Sequence, residues 1–126
     1  MSLQTPLARA RGLGSSKEGL HHWTAQRLTA FALAPLALWF IYSLVNVTGM
    51  GHAEVTNWLQ DTLNAVLMLL FIVAMYYHAA LGIQVVIEDY VESKWQKISC
   101  LILIKFLAWI AGLSSALSVI KVYLGL

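Results

Sequence analysis

Two long stretches of the chain, residues 28–51 and residues 62–87, carry no formal charge. A hydrocarbon core about 30 Å thick takes roughly 20 helical residues at about 1.5 Å rise each, so either stretch can span a bilayer even when tilted. A third apolar run extends from about Ile98 to Leu124. Its two charges, Lys105 and Lys121, lie toward the ends, where a long stem carries the ammonium to the headgroups. The pattern predicts an all-α integral membrane protein of three transmembrane helices, at about residues 20–48, 63–88 and 98–124. Residues 1–19 mix Gly, Ser, Ala and basic residues without an apolar period and read as a loose tail. The membrane anchor domain then occupies residues 20–126.

Details within the runs add to this. Pro35 lies inside the first span, removes a backbone donor and crowds the carbonyl four residues back, so a kink supported by neighbouring helices is expected. Residues 49–61 read as the first loop, with a short interfacial helix around Trp58 and with His52 in the loop. Residues 88–99 read as the second loop. In the third span Ala108, Gly112 and Ala116 recur every four residues, a small-residue stripe suited to close helix contact.

Composition agrees with a membrane protein. Of 126 residues 60% are hydrophobic and only 11% charged, less than half the charge of an ordinary soluble domain. A nucleotide-binding α/β enzyme, a basic nucleic-acid module and a disulfide-stapled secreted domain are all excluded by that balance. Cys100 is the single cysteine, so no internal disulfide can form, and an inert thiol is expected. The net charge of +2 bears on topology rather than on a polyanionic partner. Arg9, Arg11, Lys17 and Arg27 precede or open the first span, the first loop has no Lys or Arg, and Lys94 and Lys97 lie in the second loop. By the positive-inside rule the N-terminus and second loop face the cytoplasm. The N-terminus lacks the apolar core of a secretory signal.

The chemistry centres on His78, the only His, Asp, Glu or Arg expected deep inside a span. Ionisable groups are costly there, and such a residue is a functional candidate by default. Neutral imidazole is a good axial ligand for haem iron. It is also a good hydrogen-bonding group between helices, and the residue alone leaves both readings open. Asp89 follows eleven positions later, which at about 100° per residue returns it to within about 20° of His78, about 16.5 Å along the axis. Gly82 and Val85 share this stripe, and a glycine one turn from the imidazole would admit a flat macrocycle close to the backbone. Asp89 and Tyr90 would lie at the cytoplasmic interface, where an ordinary helix end would also place them. Arg27 reads equally as a positive-inside anchor, and His21 and His22 as interfacial residues.

Two segments together resemble the small hydrophobic membrane anchor of succinate:quinone oxidoreductases, the succinate dehydrogenases of respiratory complex II. The first is Gly19-Leu20-His21-His22-Trp23-Thr24-Ala25-Gln26-Arg27-Leu28-Thr29-Ala30, similar to the family's His followed six residues later by Arg-x-Thr-Ala. The second is His78-Ala79-x-x-Gly82 with Asp89-Tyr90 beyond it. The resemblance implies that His78 is one axial ligand of haem b, the other coming from a partner anchor subunit, and that the two anchors form a haem-binding bundle. It implies that Arg27, and less securely His21, meet the haem propionates, for which a guanidinium fork is well suited. It further implies that Tyr90 donates a hydrogen bond to a ubiquinone carbonyl and that Asp89 helps deliver protons at that quinone site. Where other members have an acidic residue after the first His, this chain has His22.

The implied division of labour leaves succinate, FAD and the iron–sulfur clusters to a flavoprotein subunit and an iron–sulfur subunit, with this chain as an anchor in the bacterial cytoplasmic membrane. A mitochondrial inner membrane is the less favoured setting. A quinol:fumarate reductase anchor and a non-redox structural membrane subunit are the alternative readings.

Overall fold

The structure is a computed structural model; it describes residues 5–7 and 17–126, with the side chains of Lys17 and Glu18 excepted. Arg9 and Arg11, counted above for topology, lie outside the described residues. Four helices follow in order: α1 Lys17–Val47, α2 His52–Gln60, α3 Thr62–Tyr90 and α4 Lys94–Tyr123. Three of them, α1, α3 and α4, are long and apolar enough to cross a membrane. At about 1.5 Å per residue, the 29 residues of α3 reach about 44 Å, enough for the hydrocarbon and both headgroup layers.

Each connection has a local cause. After α1 the chain turns at Gly49, whose φ of +93° lies in the left-handed region that only glycine enters without strain. Helix α2 begins where the Gly51 N–H donates to the Glu54 carboxylate at 2.8 Å, with the acidic group also favoured by the helix N-terminus. Asp61 ends α2 and caps α3, its carboxylate accepting the Asn64 N–H at 3.1 Å. The interfacial helix expected around Trp58 is thus α2, and His52 is its first residue rather than part of a loop.

The second connection is much shorter than residues 88–99. Helix α3 continues through Glu88, Asp89 and Tyr90, and α4 starts at Lys94, directly after residues 91–93. The Lys97 ammonium donates to the Glu88 carbonyl at 2.8 Å, satisfying an acceptor in the last turn of α3. Hydropathy marks where the bilayer lies, not where a helix stops: Lys94, Gln96 and Lys97 are good helix formers in water. Helix α1 likewise begins at Lys17, ahead of the apolar run, and passes Pro35 without a break.

Helix α3 is the middle element and runs antiparallel to both neighbours. Against α1 it stacks Phe71 on Phe40, ring centroids 4.6 Å apart. Against α4 it sets Tyr76, whose ring lies 3.6 Å from where a Gly112 Cβ would stand and whose hydroxyl lies 3.3 Å from Ser115 Oγ. The small-residue stripe of α4 therefore does face a neighbouring helix. Helix α2 is held at one end of the bundle by Trp58 stacking on Trp39 at 6.1 Å and by the Gln60 amide donating to the Val122 carbonyl at 3.4 Å. Very little is enclosed: among the described residues Ala65, Ile72, Leu81 and Val119 are the buried apolar ones, with Ser43 as the buried polar one.

Candidate functional site around His78

His78 lies near the centre of α3 and is half-buried. Its Nδ1 is 3.0 Å from the Thr29 hydroxyl of α1. Thr29 is itself fixed, with Oγ1 2.8 Å from the Ala25 carbonyl and 3.1 Å from the Gln26 carbonyl. The interhelical hydrogen bond anticipated as one reading of His78 is therefore present, but it uses only one ring nitrogen. His78 Nε2 makes no hydrogen bond. It is not sealed off either, since the buried unpartnered side-chain polar atoms among the described residues are His22 Nε2 and Gln26 Oε1.

One turn along α3, Gly82 faces α1 as well, and a Cβ there would stand 3.8 Å from the Gln26 amide nitrogen. Among the described residues, the flexible end of the Gln26 side chain is the one group of a facing helix within 4 Å of that position, at an ordinary van der Waals separation. The two contacts fix the register: Thr29 lies opposite His78 and Gln26 opposite Gly82. On α1 the residues His22, Gln26 and Thr29 recur at i, i+4 and i+7, which places them along one face, the face turned toward α3.

This register separates the other expected site residues. Arg27 lies two residues from Thr29, about 160° round the helix at 100° per residue. Its guanidinium sits 5.3 Å from the Trp23 ring centroid and is exposed. His21 is exposed, whereas His22 lies on the α3-facing side with Nε2 buried. Asp89 and Tyr90 are in the last turn of α3, both exposed, Tyr90 at 82%. The structure thus brings His78 together with Thr29, Gln26 and Gly82. It leaves Arg27, His21, Asp89 and Tyr90 facing outward at the same end of the bundle. Sequence reasoning assigned Thr29 and Gln26 no role of their own. Their signal was the spacing of His22, Gln26 and Thr29, which sets three polar residues along one face of α1.

A groove of about 320 Å³ opens between α3 and α4, lined by Tyr76, Tyr77, Gln84, Lys105, Trp109 and further apolar side chains. His78 is not among its walls. Among the described residues no group of three or more His, Cys, Asp or Glu could jointly hold a metal ion.

Fold and site together define a multi-pass integral membrane protein of three antiparallel spans with a half-free histidine at mid-depth of the central one. Residues 1–112 match the family of succinate dehydrogenase/fumarate reductase transmembrane subunits, and the chain belongs to that family. Among its relatives, the succinate dehydrogenase hydrophobic membrane anchor subunit of Rickettsia bellii is 36% identical over 79% of this chain and 79% of its own. The subunit of the same name from Rickettsia conorii is 38% identical over 68% and 69%. The succinate dehydrogenase membrane anchor subunit of Reclinomonas americana is 31% identical over 74% and 80%. No solved structure matches the chain at a significant level.

Proposed function

We propose that this chain is the hydrophobic anchor of a bacterial succinate dehydrogenase, supplying one axial ligand to a shared haem b and part of the wall of a quinone-reduction site. The observation that carries the reading is the state of His78: one nitrogen is fastened to α1, while the other has no hydrogen-bond partner among the described residues and is not fully buried. A haem fits this donor set. Its ring already provides four nitrogens, so the protein need offer only an axial imidazole. The second axial ligand is then owed by a partner anchor, as is the surface that covers the open side of His78.

Haem, when bound, supplies a one-electron store within the membrane. The chain's own contribution is to hold the imidazole at a fixed place on α3 by tying Nδ1 to Thr29 of α1. Arg27, outward and unpaired with any carboxylate among the described residues, would meet a propionate, with His21 beside it as the weaker candidate. Tyr90 at the end of α3 would donate its hydroxyl hydrogen to a ubiquinone carbonyl, an interaction that strengthens as negative charge builds on that oxygen. Asp89 would orient or relay the protons that accompany two-electron reduction of the quinone. The Lys94 and Lys97 end of the bundle, on the cytoplasmic side by charge, is where the iron–sulfur and flavoprotein subunits would dock.

Purification of the tagged full chain from its native membrane tests this. The expected outcome is recovery of three further subunits, succinate oxidation and a b-type haem spectrum. Recovery of the chain alone, or of a complex without haem, contradicts the proposal.

A further inference from the structure

We propose that Thr29 is a positioning residue that holds His78 in the tautomer with the proton on Nδ1, leaving Nε2 as a lone-pair donor aimed away from α1. The inference rests on the axial-ligand reading of His78 above and adds to it the residue that prepares the ligand.

A threonine hydroxyl has one hydrogen and two lone pairs, and a backbone carbonyl can only accept. Thr29 Oγ1 stands 2.8 Å from the Ala25 carbonyl oxygen, a separation at which two oxygens repel unless a hydrogen lies between them. The hydroxyl hydrogen is therefore committed to α1's own backbone, with the Gln26 carbonyl at 3.1 Å as its second acceptor. Toward His78, 3.0 Å away, Thr29 presents lone pairs. The bond between the helices is then Nδ1–H donating to Oγ1, and the neutral imidazole has its remaining lone pair on Nε2, the nitrogen without a partner among the described residues. A ring nitrogen's proton is set by what the other nitrogen bonds to, and a metal-bound histidine commonly donates its second N–H to such an acceptor.

The alternative assignment fares worse at both ends. With the proton on Nε2, the hydroxyl would have to turn its hydrogen to Nδ1. The close contact between Thr29 Oγ1 and the Ala25 carbonyl would become repulsive, and an N–H donor would stand unpaired at membrane depth. The acceptor is also distinctive. A neutral hydroxyl already donating elsewhere draws less proton density from Nδ1 than a carboxylate, so the imidazole stays short of imidazolate character.

The test uses the intact complex carrying Thr29→Val, which keeps shape but removes the acceptor, and Thr29→Ser, which restores it. Hydrogen-bond partners of a metal-bound histidine typically matter about 10–100-fold for the bound group. We expect Thr29→Val to lower haem affinity about tenfold and to raise the haem midpoint potential, because the ligand loses basicity. Thr29→Ser should return both toward wild type, and succinate oxidation by an artificial acceptor should persist in each. A second measurement needs no haem: the 15N spectrum of the histidine-labelled, haem-free full chain should show His78 protonated at Nδ1 and bare at Nε2. Unchanged affinity and potential in Thr29→Val, or the reverse 15N pattern, overturns the proposal. Survival of the haem signal in His78→Ala would instead overturn the ligand reading beneath it, so the two failures are distinct.

Discussion

His78 shows how a single side chain can satisfy two competing demands. A polar group inside a membrane needs a partner, and a haem ligand needs a free lone pair. Imidazole has two nitrogens, and here Nδ1 meets the first demand through Thr29 while Nε2 is available for the second. The residue was legible in the sequence because the one ionisable His, Asp, Glu, Lys or Arg side chain within the stretch 62–87 stands out. Thr29 was not: a threonine within a helix is ordinary, and its partner is 49 positions away, a pairing that only the helix register reveals. Tyr90 belongs to the same scale. Its exposed hydroxyl at the end of α3 predicts that Tyr90→Phe loses most of the quinone reduction while succinate oxidation by an artificial acceptor is retained. Equal loss of both would count against a quinone role.

At the scale of the helices, packing rests on a few close contacts rather than on a deep core. A Cβ added at Gly112 would stand 3.6 Å from the Tyr76 ring, an ordinary van der Waals separation, so Gly112→Ala should leave thermal stability nearly unchanged. Gly112→Leu has no such room. It should displace the Tyr76 ring, break its contact with Ser115 and lower stability by about 1–3 kcal/mol, read as a fall in the melting temperature of the detergent-solubilised complex. Helix α2 depends on Trp58 over Trp39. Trp58→Ala should speed amide exchange across residues 52–60 and leave α3 protected; uniform exchange throughout would show that α2 is not separately held. The spans and the small-residue stripe were visible in the sequence because burial in lipid requires apolar length and close helix approach requires small residues. Helix ends were less so. Glu88, Asp89 and Tyr90 and the Lys94–Lys97 turn are polar, and polarity reports distance from the hydrocarbon without deciding whether the backbone remains helical.

As a whole, the described residues form three long helices, each antiparallel to the next, and the short α2, with most of their large apolar side chains outward and only Ala65, Ile72, Leu81 and Val119 buried among the apolar ones. In lipid such a surface is no liability, and the groove between α3 and α4 does not reach His78. Arg27 and the end of α3, Asp89 and Tyr90, are exposed in the chain by itself. For this reason the bundle with a partner anchor was expected from resemblance alone and could not emerge from one chain's periodicity. If a partner anchor supplies the missing cover, this chain made without it should accumulate several-fold less in membranes and bind no haem, as followed by immunoblot and absorbance. Normal accumulation with haem bound would argue that one chain suffices.

The central claim is that His78 ligates haem in a succinate dehydrogenase anchor, and the reduced-minus-oxidised spectrum of the purified His78→Ala complex tests it most directly. Assembly is checked in the same preparation by succinate oxidation with an artificial acceptor. The expected result is an assembled complex whose b-haem signal is lost or converted to a weakly held, spectrally altered form. An assembled complex with the wild-type signal at full amplitude would contradict it.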